Sequence, residues 1–92
     1  MKRTEILKMA CQIVDGERPD VYGQPEDNFG KIAALWGVYL NTLITPGDVA
    51  AMMILLKTAR ISSGTAVSDN WIDIAGYAAC GGEIQTRGFN GD

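Results

Sequence analysis

Apolar residues recur at helical spacing in four stretches of this chain, and the polar groups of chemical interest fall at the ends of those stretches. The first stretch runs from Thr4 to Val14. Ile6, Leu7, Ala10, Ile13 and Val14 share one side of it, and Lys8 and Gln12 take the other. Thr4 is the expected N-cap, and Asp15-Gly16 the stop. Glu17 to Pro25 reads as a loop punctuated by Pro19, Gly23 and Pro25. The second helix begins at Pro25 or Glu26 and ends by about Asn41. Glu26 and Asp27 complement its positive end. Phe29, Ile32, Ala33, Trp36, Tyr39, Leu40 and Leu43 form its apolar stripe.

The third helix has the clearest start. In Thr45-Pro46-Gly47-Asp48 a threonine cap is followed by proline at the first position and an acid three residues after the cap. Val49 to Leu56 is apolar all round, which predicts a central helix buried on most sides. Lys57 and Arg60 appear only in its last turns. Ser62-Ser63-Gly64-Thr65 connects it to a fourth helix, Asp69 to Cys80, with Ser68 or a residue near it as the cap and Gly81-Gly82 as the end. Trp71, Ile72, Ala75, Ala78 and Ala79 are its packing residues, and Gly76 permits close approach of another helix. The fold class is therefore all-α: a four-helix bundle.

A chain of 92 residues makes one domain, 1–92, with its core at about 4–84 and a looser tail at 85–92. So small a domain that is 47% hydrophobic has apolar surface left over, and a homo-oligomer is expected to complete the bundle. The net charge of −3 argues against a nucleic-acid polymer as partner, since that needs a cationic surface. The chain has no histidine, which excludes histidine triads and His-liganded metals. Cys11 and Cys80 fall in apolar helical patterns and read as two reduced, buried thiols. The sequence after Met1-Lys2-Arg3 does not resemble a signal peptide. Val49 to Leu56 is too short to span a bilayer, so no membrane role and a cytoplasmic location are expected.

The helix ends carry the candidate chemistry. At about 1.5 Å per residue, Asp48 and Arg60 lie about 18 Å apart along the third helix. If neighbouring helices are antiparallel, Asp69 starts near the level of Arg60, and Asp73 lies near Lys57. The start of the second helix also arrives there. Glu26, Asp27, Lys57, Arg60, Asp69 and Asp73 can therefore meet, whereas Asp48 belongs to its own helix cap. Asp69 and Asp73, at i and i+4, share a face. With Glu26 they form a candidate Mg²⁺ site. Lys57 and Arg60 are candidate phosphate contacts, with Arg18, Asn28, and Tyr22 or Trp36 completing a ligand site, the aromatics by stacking. Alternatively, Lys57 and Arg60 bridge to Asp69 and Asp73 as structural pairs, or the cations bind an anion without metal. Trp36 and Trp71 also read as core or interface aromatics, and Met52 and Met53 as core filling. Gly81-Gly82 is no phosphate loop, since no Lys-Ser/Thr follows it.

Several runs carry a family resemblance. They are Arg18 with Tyr22-Gly23, Pro25, Asn28-Phe29, Ile32-Ala33, Leu35-Trp36 and Tyr39-Leu40; Asp48-Val49 with Met52-Met53, Leu56-Lys57 and Arg60; and Asp69-Asn70-Trp71-Ile72-Asp73 with Gly76-Tyr77. Over about residues 4 to 84 the chain resembles a small family of uncharacterised helical domains from bacteriophages and prophages. That resemblance implies a host-cell cytoplasmic location. More distantly it is similar to MazG-like all-α nucleoside triphosphate pyrophosphohydrolases, which are usually oligomeric and hold Mg²⁺ with acidic residues on two helices. Their Glu-x-x-Glu and Glu-x-x-Asp pairs are absent here, and Glu26-Asp27 and Asp69/Asp73 are loose stand-ins. Three functions follow as expectations. One is a Mg²⁺-dependent nucleotide hydrolase using Asp73, Asp69 and Glu26. A second is a non-catalytic protein that sequesters a nucleotide or cyclic-nucleotide immune signal, an anti-defence role. The third is a structural or protein-interaction module.

Overall fold

The helix start at Thr45 forms as its sequence dictates. In the computed structural model the described residues are 1–15, 25–64 and 67–87, with the backbone alone for 25–27. The Thr45 side chain accepts a hydrogen bond from the Asp48 N–H at 3.1 Å. Asp48 Oδ2 accepts in return from the Thr45 N–H at 2.9 Å. Two otherwise orphaned backbone donors are thereby satisfied. The described residues contain four helices and no strand: α1 (Arg3–Val14), α2 (Pro25–Leu40), α3 (Pro46–Ser62) and α4 (Val67–Thr86).

A left-handed residue reverses the chain between α2 and α3. Asn41 takes φ 54°, the Thr42 N–H donates to Gly37 at 3.1 Å, and the Asn41 N–H to Val38 at 3.4 Å. This pattern caps the carbonyl end of α2 and turns the chain back along α3. Gly64, at φ 78°, lies in the reversal into α4. Lys57 lies opposite Asp73 and Arg60 opposite Asn70, so α3 and α4 are antiparallel. α1 runs alongside α4 in the same sense: Ile6 and Leu7 share a shallow groove with Val67 and Trp71, and Val14 reaches Gly76. The central pair is α3 and α4, with α2 laid on α3 and α1 on α4.

The core sits where α2 crosses that pair. Phe29, Ala33, Val49 and Ala50 are its buried centre, and Trp36, Met53 and Tyr77 pack around them. The rings of Phe29 and Tyr77 are 6.1 Å apart and tilted by 33°. Side chains of this kind contribute about 1.5–3 kcal/mol each when fully buried.

Several expectations need correction. Lys2, not Thr4, precedes α1, and the first turn is tied by the Lys2 N–H to Glu5 Oε1 at 3.5 Å. Ser68 lies inside α4, which begins at Val67, and the position just before that helix lies outside the described residues. Gly81-Gly82 does not end α4, which continues to Thr86. A Cβ on Gly81 would lie 2.8 Å from the Cβ of Ala50, so the glycine serves close contact between α3 and α4. Gly76 faces Val14 across α1 in the way the sequence implied. α3 is buried on one side only, since Leu55 and Leu56 are exposed. Leu7, Ile13, Tyr39, Leu40, Leu43 and Trp71 are also exposed: one neighbouring helix per face cannot cover stripes this wide. Cys11 is exposed and Cys80 half-buried, and the two are not joined in a disulfide. Gln85 and Thr86 belong to α4 rather than to a tail. The expected loop at 17–24 and the tail from residue 88 lie outside the described residues. No described helix is long and apolar enough to cross a membrane.

Two adjacent glycines separate packing from propensity. Gly81→Ala is expected to destabilise by about 1–3 kcal/mol through overpacking against Ala50. Gly82 has nothing within 4 Å of an added Cβ, so Gly82→Ala is expected to stabilise by about 0.5–1 kcal/mol. Thermal unfolding of the two variants checks the opposite signs.

Candidate functional site

Antiparallel helices with a fixed register bring residues together in rungs. Three residues on from Lys57 is Arg60, and three back from Asp73 is Asn70, so one register makes both contacts. Lys57 Nζ lies 3.0 Å from Asp73 Oδ2. Arg60 Nε donates to Asn70 Oδ1 at 3.3 Å. The sequence placed Asp73 near Lys57 and Asp69 near Arg60. The first juxtaposition forms an ion pair, while the partner held by Arg60 is the neighbouring Asn70.

Asn70 is the residue that sequence reasoning passed over. It is 1% exposed, the sole buried polar residue among those described. Burying an amide without partners costs about 1–3 kcal/mol, so its carbonyl needs a donor. Arg60 supplies one through Nε. This use of Nε leaves the two terminal nitrogens of the guanidinium outside the contact, and among the described residues Arg60 makes no ion pair. Asn70 lies in the first turn of α4, so the guanidinium stands beside the positive end of that helix. The signal was present in the sequence: a small amide sat at the position whose register matches Arg60.

The other candidates are distributed as follows. Asp69 is exposed in the first turn of α4. Asp73 is turned toward Lys57, and their side chains are 36% and 18% exposed, so water partly screens the pair. Trp36 packs against the core and Asn28 is half-buried. Glu26 lies in the first turn of α2, but its side chain is outside the described residues, as are Arg18 and Tyr22 altogether. α2 and α4 run in the same sense and Phe29 meets Tyr77. The backbone one turn before Phe29 therefore comes in near the level of Asp73. Among the described residues, no three acidic or cysteine side chains converge as metal ligands.

One thiol is electrostatically perturbed. Cys11 Sγ donates to Asp15 Oδ2 at 3.3 Å, and this hydrogen bond, with the adjacent negative charge, holds the thiol above its ordinary pKa. The thiolate is the reactive form, so Cys11 is a slow nucleophile despite its exposure. Asp15→Asn is expected to bring the pKa back down. Alkylation of Cys11 at neutral pH should then quicken several-fold, measured by mass spectrometry of the labelled protein. For the polar rungs, a double-mutant cycle of Lys57→Met and Asp73→Asn is expected to give a coupling of about 0.5–1 kcal/mol, reduced by added salt.

Comparison with known proteins places the chain in a family. The chain is 47% identical over 74 residues to the Gene 55 protein of Mycobacterium phage L5, covering 79% of this chain and 47% of the relative. It is 40% identical over 87 residues to the Gene 55 protein of Mycobacterium phage D29, covering 95% of this chain and 58% of the relative. The chain thus spans about half the length of these phage relatives. No solved structure matches it. A family model described as a domain of unknown function, DUF6378, matches residues 5–85, and the chain belongs to that family.

Proposed function

We propose that the pole between α3 and α4 binds the phosphate of a small nucleotide. The observation that carries this reading is Arg60, held through Nε by a buried amide with the rest of its fork outside that contact. A guanidinium positioned in this way loses less conformational freedom on binding than a free one and can engage phosphate through two parallel hydrogen bonds. The positive end of α4 beside it favours the same charge. The nucleotide, rather than any other phosphate, is suggested by the distant similarity to MazG-like pyrophosphohydrolases.

In the catalytic form of this reading, Asp69, Asp73 and Glu26 would hold Mg²⁺, and the chemistry it would supply is Lewis-acid activation of phosphate or water. Asp73 must then leave Lys57, and Lys57 turns to the phosphate. In the alternative form, the site sequesters an intact nucleotide without metal. The ion pair Lys57–Asp73 favours the second form, because it occupies the carboxylate that metal would need. A protein-interaction role is favoured by a different observation, the apolar side chains left exposed on α2.

Thermal unfolding with nucleoside triphosphates and cyclic nucleotides, with and without Mg²⁺, separates these readings. A ligand at a hundred times its Kd stabilises the folded state by about 2.7 kcal/mol, or roughly 10–20 °C for a domain of this size. The expected result is a shift with at least one nucleotide that Arg60→Lys largely removes. A shift that requires Mg²⁺, with product release lost in Asp73→Asn, supports hydrolysis. A shift without metal and with intact ligand recovered supports sequestration. No shift with any nucleotide overturns the phosphate site and leaves the interaction role.

A further inference from the structure

Lys57 and Arg60 stand about one helical turn apart on α3, and both reach across to α4. Three residues at about 1.5 Å each put the two rungs about 4.5 Å apart along the helix. Their partners differ in kind. Arg60 is held by the neutral amide of Asn70. Lys57 already carries an anion, the Asp73 carboxylate at 3.0 Å. The second rung is thus a position that binds an anion, and a group of the chain itself occupies it.

The two members of that ion pair are not equally placed. The Lys57 side chain is 18% exposed and the Asp73 side chain 36%. The cation is the more enclosed, and the carboxylate is the more open to water. A carboxylate so placed regains hydration when it turns outward, so its release costs little. The enclosed ammonium has three donors and no acceptor, so another anion must take the vacated place. An anion of greater charge than a carboxylate binds there more strongly.

We infer that Asp73 is a built-in competitor at a second phosphate position, and that the ligand displacing it carries two phosphoryl groups joined through one oxygen. The inference rests on the phosphate reading of Arg60. A single phosphoryl group engages the terminal nitrogens of Arg60 and leaves the Lys57–Asp73 pair closed. A diphosphate with one group on Arg60 spans the turn to Lys57 with the other. It brings more negative charge to that ammonium than Asp73 does, and Asp73 turns out to water. Asp73 therefore restrains the affinity for a diphosphate and hardly touches the affinity for a monophosphate. The exchange is between anions, so it proceeds in buffer free of divalent cations.

Isothermal titration calorimetry of the full chain with inorganic pyrophosphate and with orthophosphate, in such a buffer, tests this. Asp73→Asn is expected to tighten pyrophosphate binding by about three- to fivefold and to change orthophosphate binding by less than about twofold. Lys57→Met should weaken pyrophosphate several-fold. In the Lys57→Met background, Asp73→Asn should gain no more with pyrophosphate than with orthophosphate, because the competition runs through Lys57. Both side chains are partly exposed, so the variants are expected to keep the helices, read by circular dichroism. Three results overturn the inference while leaving the Arg60 site standing: equal gains for both anions in Asp73→Asn, a selective gain that persists without Lys57, or weaker pyrophosphate binding in Asp73→Asn. No binding of either anion, or binding unchanged in Arg60→Lys, removes the phosphate site and this inference with it.

Discussion

The antiparallel register of α3 against α4 is the constraint on which the rest of this molecule depends. Close approach of the two helices is possible because Gly81 meets Ala50 with no side chain between them. That contact fixes the register, and the register then sets every rung: Tyr77 beside the core, Asp73 on Lys57, Asn70 on Arg60. Moving one helix by a single residue would rotate Asn70 away from Arg60 and break the hydrogen bond between them. The polar rungs therefore discriminate between registers more than they add stability. Their energies are small where water reaches them, but the penalty for breaking the buried one is larger than its net gain.

The same register decides what chemistry the pole can perform. A cation that is fully neutralised by a carboxylate has little left for a ligand. Lys57 is paired with the Asp73 carboxylate, whereas Arg60 is held by a neutral amide. The difference between Asp and Asn at one helical position thus separates a structural ion pair from a positioned guanidinium. Orientation without neutralisation is what an anion site needs.

Much of the fold was legible in the sequence. Thr45-Pro46-Gly47-Asp48 predicted its cap down to both hydrogen bonds, because capping is local chemistry. Phe29, Ala33 and Ile72 were assigned to buried faces and are buried. The level of Asp73 relative to Lys57 followed from rise per residue and antiparallel packing. What failed was information that lives in tertiary contact. Gly81-Gly82 reads locally as a helix stop, yet the packing of α4 on α3 makes a glycine useful in mid-helix. Trp71 and Leu43 fit an apolar stripe, but periodicity tells which side a residue takes and not whether a neighbour arrives to cover it. Asn70 was hidden for a related reason: a polar residue is conspicuous only once its burial is known.

Arg60 is held by Asn70, and the proposed phosphate site depends on its remaining nitrogens reaching an anion. Proton–nitrogen correlation spectra of the Arg60 side chain, recorded during titration with inorganic pyrophosphate, address it most directly. A slowly exchanging Arg60 Nε–H is expected in the free protein and should be lost in Asn70→Ala, with a saturable shift of the guanidinium signals on adding pyrophosphate. A rapidly exchanging Nε–H, or guanidinium signals unmoved by the anion, would contradict it.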